Sequence, residues 1–85
     1  MDRLTIKNED GNFTVDDEDI QKAIQRLGMF EDAYEGLMKS QEQIPIVLEE
    51  LRKQGKEKTL SFKETMAQKL INSNIIMFFK RHGIK

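Results

Sequence analysis

Apolar and polar side chains alternate along two short arms near the start of the sequence. The alternating apolar positions are Leu4, Ile6, Phe13 and Val15. Asp10-Gly11 lies between the arms and favours a type I′ turn, in which both central residues need positive φ. The pattern predicts a β-hairpin over residues 4–15. Because an isolated hairpin is marginal in water, we expect these four side chains to pack on the helices that follow.

From residue 17 the apolar positions change to the three- and four-residue spacing of a helix. The acidic run Asp16-Asp17-Glu18-Asp19 favours a helix start, because carboxylates accept hydrogen bonds from the free N–H groups of a first turn. We therefore predict a first helix over 17–39. Pro45 favours the first turn of a new helix over the interior of a continuing one, so a second helix is predicted over 45–54.

The last third of the chain predicts two shorter helices. Ser61 and Glu64 have the spacing of a capping box, which indicates a helix over 62–70. Asn72-Ser73-Asn74 is unfavourable inside a helix, because these side chains compete for backbone hydrogen bonds. A break there leaves a further helix over 74–82, and one continuous helix from 62 to 82 is the alternative.

These elements define the predicted fold. Gly83 followed by Ile84 favours a Schellman ending for the last helix. The length of 85 residues allows one domain, over 1–85. We predict an α+β fold in which the N-terminal β-hairpin packs on a small bundle of three to four helices.

Five consecutive apolar residues run from Ile75 to Phe79. On a helix they cover every side, and a helix that is apolar all round must be buried all round. Either this segment is the centre of the fold, or part of it faces a partner, for which a homodimer is the simplest case. The possible oligomer or partner patch consists of Ile75, Ile76, Phe78 and Phe79.

Charge is divided unevenly along the chain. Residues 1–50 carry thirteen acids and five bases, and residues 51–85 carry nine bases and two acids, so the segments have net charges of −8 and +7. The two segments either neutralise each other or face partners of opposite charge. The candidate acidic face for a protein partner comprises Glu9, Asp10, Asp16, Asp17, Asp19, Glu31, Asp32 and Glu35. The candidate nucleic-acid face comprises Lys56, Lys58, Lys63, Lys69, Lys80 and Arg81.

Catalytic and metal chemistry find little support in the sequence. There is no cysteine and only one histidine, His82, which fits a last-turn cation at a helix C-terminus better than a ligand. Residues 8–19 resemble a calcium loop in oxygen spacing, but Phe13 stands where that loop needs glycine. We predict no enzyme activity, no catalytic residues, no metal and no cofactor.

Residues 62–81 also suggest a weak helix-turn-helix. Met66, Leu70 and Met77 occupy apolar positions of that motif, whereas Ile71 replaces its turn glycine. A small DNA- or RNA-binding regulator acting through the basic C-terminal helices is therefore the alternative function.

Two stretches resemble small uncharacterised accessory proteins of phages and integrated mobile elements of Gram-positive bacteria. The stretches are Arg3-Leu4-Thr5 with Asp10-Gly11, Ala23-Ile24-Gln25-Arg26-Leu27 and Phe30-Glu31-Asp32, and then Lys58-Thr59, Phe62-Lys63-Glu64, Lys69-Leu70, Asn72, Ile75 and Gly83-Ile84. The resemblance implies an accessory protein that works by binding and carries no known catalytic residues. Small inhibitors of host defence nucleases, anti-CRISPR proteins among them, come from the same genomic setting.

The leading hypothesis combines this resemblance with the charge pattern. It describes a non-enzymatic phage-type protein that binds a host protein or nucleic-acid-processing complex stoichiometrically, as an inhibitor of host defence. The sequence has no apolar run of about 18 residues and no apolar leader after Met1, so we expect a location in the bacterial cytoplasm and no membrane contact.

Overall fold

A computed structural model describes all 85 residues. Its elements are β1 (Thr5–Lys7), β2 (Phe13–Val15), a 3-10 turn (Asp17–Asp19), α1 (Ile20–Lys53) and α2 (Leu60–Arg81). The chain divides into two compact units, which we call unit 1 (Met1–Tyr34) and unit 2 (Glu35–Lys85). Neither helix contains an apolar stretch of the length that a membrane span requires. The single domain that the sequence predicts stays a prediction.

The hairpin forms at the expected place, but its turn differs from the prediction. Asn8 N–H donates to Asn12 O at 2.8 Å, and Gly11 N–H donates to Asn8 O at 3.1 Å. The loop therefore has three residues and ends in Gly11, which has φ +83°. Asp10 does not have positive φ, so the predicted type I′ turn is wrong. The Asn8 side chain stabilises the longer loop by accepting hydrogen bonds from two backbone N–H groups, those of Asp10 and Asn12.

The strand register separates the apolar residues of the hairpin. Ile6 pairs with Thr14, and Lys7 pairs with Phe13. Side chains of directly paired residues lie on the same face of a sheet, and neighbours along a strand lie on opposite faces. Ile6 and Phe13 are consequently on opposite faces, and both are exposed. The single apolar face predicted for the hairpin is wrong, because this register places Ile6 on one face of the sheet and Phe13 and Val15 on the other.

The first helix is much longer than predicted. The predicted helices over 17–39 and 45–54 are one element, α1, and Pro45 lies inside it. A proline has no N–H, so the Gln41 carbonyl loses its usual donor four residues later. The helix continues through this defect because its buried side chains, Ile44 and Leu48, lie on either side of Pro45 along the chain.

The start of α1 also corrects the sequence prediction. Residues 17–19 form a 3-10 turn, and Asp16 precedes it in extended conformation with no side-chain hydrogen bond to the turn. The turn is closed instead by the backbone, through Asp19 N–H donating to Asp16 O at 2.8 Å. The predicted carboxylate cap is therefore absent, and the α-helix begins at Ile20.

A glycine ends α1 in a Schellman motif. Lys56 N–H donates to Leu51 O, and Gly55 N–H donates to Arg52 O. Gly55 has φ +69°, the left-handed conformation that this motif requires and that glycine adopts at least cost.

The second helix is capped by Thr59, two residues before the predicted cap. Thr59 Oγ1 accepts a hydrogen bond from Phe62 N–H at 3.3 Å. The capping box predicted at Ser61 and Glu64 is wrong, because Ser61 already lies within α2. At the other end Ile84 N–H donates to Phe79 O, and Gly83 has φ +81°, so the Schellman ending predicted there is confirmed.

The helix α2 passes through residues 72–74 without a break. The side chain of Asn72 bonds to Ser40 and to Gln68, and Ser73 bonds to Gln41, so neither competes for the helix backbone. The separate helices predicted over 62–70 and 74–82 are wrong, and the continuous alternative is correct. The fold is therefore a hairpin followed by two helices, and the predicted bundle of three to four helices is wrong.

The buried residues all lie in unit 2. They are Ile44, Leu48 and Asn72, with exposed fractions of 6%, 2% and 2%. Unit 1 has no buried residue. The segment from Ile75 to Phe79 is not the centre of the fold, since Ile75, Met77 and Phe78 are exposed.

Candidate interaction surfaces

A layer of polar side chains joins α1 and α2 within unit 2. Gln41 Nε2 donates to Ser73 Oγ at 2.8 Å and to the Lys69 carbonyl at 3.3 Å. Asn72 Nδ2 donates to Ser40 Oγ at 3.2 Å. Hydrogen bonds of this kind have directions, so they fix which residue of α1 lies opposite which residue of α2.

One acceptor in this polar layer has no partner. Gln41 Oε1 is buried and makes no hydrogen bond. The layer therefore fixes the register of the two helices at some cost in stability, because an unpaired buried acceptor loses its hydration without compensation.

Unit 1 exposes a line of apolar side chains along one face of α1. Ile20, Ile24 and Leu27 follow one another at spacings of four and three, and all three are exposed. We call these three residues the unit 1 stripe. A protein of this size normally keeps large apolar side chains at such spacing in its core, so the stripe is a candidate contact surface.

A groove of about 680 Å³ lies beside the stripe, between the N-terminal segment and α1. Its apolar lining residues are Met1, Leu4, Ala23, Leu27 and Phe30. Arg26 fastens the N-terminal segment to the helix, because its guanidinium donates to the Asp2 carbonyl at 2.6 Å. The groove and the stripe share Leu27, so they form one continuous apolar region of unit 1.

Acidic residues lie at both ends of the unit 1 stripe. Asp16 and Asp19 precede it, and their carboxylates lie with that of Glu18 within 4.8 Å of one another. Glu31 and Asp32 follow it on α1, and both are exposed. Unit 1 carries nine acids and four bases, a net charge of −5, with no ion pair inside the unit. Glu9 and Asp10 lie apart from these residues in the hairpin loop, and Glu35 is the first residue of unit 2.

The six residues of the predicted basic face lie in separate parts of the chain. Lys56 and Lys58 lie in the connection between the helices, and Lys63 lies in the first turns of α2. Lys80 and Arg81 are in the last turn of α2. Lys80 lies seventeen positions after Lys63, which is about 26 Å along a helix, so the six cations do not form one patch. Lys69 lies between these two groups.

The connection between the helices concentrates positive charge. Lys53, Lys56, Lys58 and Lys63, which we call the basic turn, are exposed and in no ion pair. The one ion pair of the structure joins Arg52 to Glu49 at 3.9 Å, and the Arg52 guanidinium also lies 5.4 Å from the Phe62 ring.

The helix-turn-helix hypothesis is wrong, because that motif needs two helices joined by a turn and α2 is continuous. His82, at the end of α2, is held locally. Its Nδ1 lies 2.9 Å from the Phe78 carbonyl, and its ring lies 4.6 Å from the Phe78 ring. This arrangement fits the helix-end role that the sequence predicts for it.

The outward side of α2 presents a second apolar region. Ala67, Ile71, Ile75 and Phe78 follow one another at spacings of four, four and three, and all are exposed. We call these residues the α2 outer patch. The four-residue patch predicted from sequence is divided by the helix, since Ile75 and Phe78 belong to the outer patch while Ile76 and Phe79 are half-buried.

No protein-family model, curated protein or solved structure matches this chain.

Proposed function

We propose that this protein works by binding, without catalysis, and that unit 1 binds a basic surface of a partner protein. The observation that carries the proposal is the exposed unit 1 stripe with acidic residues at both of its ends. Such a surface is complementary to an apolar segment flanked by Lys or Arg. The apolar contact would supply most of the affinity, and the acids would speed association and select the partner.

The absence of a core in unit 1 supports the same proposal. Segments shorter than about 40 residues rarely fold stably without a metal, a disulfide or a partner. Unit 1 has 34 residues, no cysteine and no buried side chain. A partner seated on the stripe and the groove would bury the apolar area that unit 1 leaves in water.

The finer parts of the proposal depend on the resemblance alone. They are a phage or mobile-element origin, a cytoplasmic host protein or nucleic-acid-processing complex as the partner, and inhibition of a host defence. The acidic surface is compatible with competition for a groove that normally holds nucleic acid, because both ligands would present negative charge.

The test is affinity capture from a bacterial lysate with three forms of the chain. The first is the wild type, and the second is Leu27→Glu, which places a charge in the unit 1 stripe. The third is Met29→Glu, a control that changes an exposed apolar residue on another side of the same helix. We expect one protein to be captured by the wild type and the control and lost with Leu27→Glu.

The captured protein is then purified and titrated by calorimetry. We expect 1:1 stoichiometry and a loss of at least tenfold in affinity for Leu27→Glu. Reversal of Asp16, Asp17 and Asp19 to Lys should slow association and flatten its dependence on salt. Equal capture by all three forms, or an affinity that Leu27→Glu leaves unchanged, would contradict the proposal.

Nucleic-acid binding is the second candidate, and the basic turn is the observation that favours it. Four unpaired lysines at the end of a helical pair can contact phosphates without reading bases. Fluorescence anisotropy of labelled DNA and RNA at 50 and 200 mM salt tests it. Affinity that falls about tenfold or more would indicate several phosphate contacts. An unchanged anisotropy at low salt would exclude this candidate.

A further inference from the structure

We infer that the groove of unit 1 binds a small amphipathic carboxylate, of the class of medium-chain fatty acids, with the carboxylate against Arg3 and Arg26. This inference goes beyond the protein partner proposed for unit 1 and does not depend on it, because Ile20 and Ile24 of the unit 1 stripe are outside the groove. It rests on the size and lining of the groove and on the contacts of its two arginines.

The groove has the size and the lining of a small-molecule site. Its volume of about 680 Å³ lies within the range of about 300–1,000 Å³ that is usual for ligand pockets. Leu4 on one side and Ala23 and Phe30 of α1 on the other are half-buried, so the two walls are already partly withdrawn from water. Ligand sites typically combine such an apolar lining with a few polar groups that orient the ligand.

The charged groups of this groove are both cationic. Arg3 and Arg26 line it, and no acidic side chain does. Unit 1 contains nine acids, yet neither guanidinium is in an ion pair. Arg26 is half-buried, and a charge that is withdrawn from water is normally paired with an opposite charge. An anion bound in the groove would supply the counter-charge that the chain itself does not place there.

Both arginines are held in position and keep most of their donors. Arg26 Nη1 donates to the Asp2 carbonyl at 2.6 Å. Arg3 Nε donates to the Thr5 carbonyl at 3.1 Å and to the Thr5 hydroxyl at 3.2 Å. A guanidinium has five N–H groups in a planar fork, so each arginine uses one of them and keeps the others for a ligand. A carboxylate matches this fork with two parallel hydrogen bonds.

The acids around the groove restrict the charge of the ligand. Asp19 and Glu31 lie one turn from Ala23 and Leu27 on α1, and unit 1 has a net charge of −5. Salt screens these acids beyond about 8 Å, whereas the arginines contact the ligand directly. A carboxylate carries one negative charge and a phosphate up to two, so the carboxylate is the more favourable head group. An apolar chain is needed as well, because only a chain covers the apolar lining.

Isothermal titration calorimetry of the full chain with sodium decanoate, at about 150 mM salt and with no protein partner, tests the inference. We expect saturable 1:1 binding, with affinity rising by up to about fourfold for each CH₂ from octanoate to dodecanoate. Decyltrimethylammonium has the same chain with a cationic head, and it should bind at least tenfold more weakly. Equally tight binding of this cation would overturn the inference, because the acids of unit 1 would then select the ligand.

Two arginine variants and a matched control test the carboxylate contact. Arg3→Gln and Arg26→Gln should each weaken decanoate binding about tenfold or more, because each removes charge-assisted hydrogen bonds. Lys22→Gln removes the same charge from an exposed position of α1 outside the groove, and it should change the affinity less than twofold. Arg3→Gln keeps the bond from Arg26 to Asp2, so its effect does not come from a loosened N-terminal segment. Equal losses for Arg3→Gln and Lys22→Gln would contradict the proposed contact.

A filled groove and amide chemical shifts provide a test that leaves the charge unchanged. Ala23→Phe places a ring in the groove and should weaken decanoate binding at least tenfold, while circular dichroism verifies that the variant remains helical. In the wild type, decanoate should shift the amide signals of residues 3–5 and 23–30 and leave those of unit 2 unchanged. Shifts centred in unit 2, heats that do not saturate, or full affinity in Ala23→Phe would overturn the inference.

Discussion

Unit 1 and unit 2 share the helix α1 but are stabilised in different ways. In unit 2, α1 contacts α2 through two buried apolar side chains, Ile44 and Leu48, and through the polar layer. In unit 1, the same helix is accompanied only by an N-terminal segment and a hairpin whose strands have three residues each. No side chain of unit 1 is fully buried. Unit 2 thus has a small core of its own, whereas the apolar side chains of unit 1 are at most half-buried.

The stability of this chain therefore comes mainly from unit 2. A helix is stabilised mainly by the packing of its apolar face, and propensity contributes less. The face of α1 in unit 2 is satisfied by α2, so this part of the helix is held by the chain itself. The unit 1 stripe lacks such a neighbour within unit 1, so this part is held by the continuity of the helix and is available to a partner.

The largest contrast is expected from truncating one leucine in each unit. Leu48→Ala should lower the free energy of unfolding by about 2–5 kcal/mol, because it leaves a cavity in a core of only a few side chains. Leu27→Ala, at a residue that is 57% exposed, should change it by about 0.5 kcal/mol or less. Urea titrations followed by circular dichroism measure both. Similar losses for the two variants would mean that unit 1 has a core after all.

Replacing Pro45 tests how strongly α2 stabilises the part of α1 that belongs to unit 2. Pro45→Ala restores the donor to the Gln41 carbonyl and should raise the free energy of unfolding by up to about 3 kcal/mol. The midpoint of thermal unfolding is the measurement. A variant less stable than the wild type would show that the proline adjusts the helix to fit α2.

The polar layer is tested by a matched pair of asparagines on α2. Asn72→Ala should cost about 1–2 kcal/mol, because it leaves Ser40 and Gln68 without their partner. Asn74→Ala, at an exposed position two residues away, should change stability by about 0.5 kcal/mol or less. Equal effects of the two substitutions in denaturant titrations would contradict a stabilising role for the polar layer.

The smallest effect is expected from two glycines, one inside α1 and one just after its end. Gly28→Ala should stabilise unit 1 by about 0.5–1 kcal/mol, because Gly28 is inside the helix and a Cβ there meets nothing within 4 Å. Gly55→Ala should destabilise by about 1 kcal/mol, because Gly55 has φ +69°. Opposite signs in thermal unfolding are expected, and a destabilising Gly28→Ala would show that something packs on that face.

Local signals in the sequence predicted the places of the elements better than their extent. The hairpin and the Gly83 ending of α2 follow from turn chemistry, and both are present. Pro45 and Asn72-Ser73-Asn74 are equally clear local signals for a break, yet both lie within continuous helices. The side chains of Gln41, Asn72 and Ser73 find partners on the facing helix, and no local rule contains that information.

The candidate surfaces were predictable in part. The acids at the ends of the unit 1 stripe and the apolar run from Ile75 to Phe79 were identified from composition and spacing. Which residues of the run from Ile75 to Phe79 are exposed and which are half-buried depends on the position of α1, which the sequence does not contain. The absence of a common apolar face on the hairpin depends in the same way on the strand register. The polar layer was missed altogether. Its one signal in the sequence is Gln41, a polar residue at a position that continues the spacing of Leu37, Ile44 and Leu48.

The most direct test of the account is hydrogen exchange of the full chain along α1, with no partner added. We expect amides of residues 24–33 to exchange at least tenfold faster than those of residues 46–53, although both stretches belong to one helix. Addition of the captured partner should slow the first stretch and leave the second unchanged. Equal protection along the whole of α1 in the free protein would contradict the claim that unit 1 has a surface but no core.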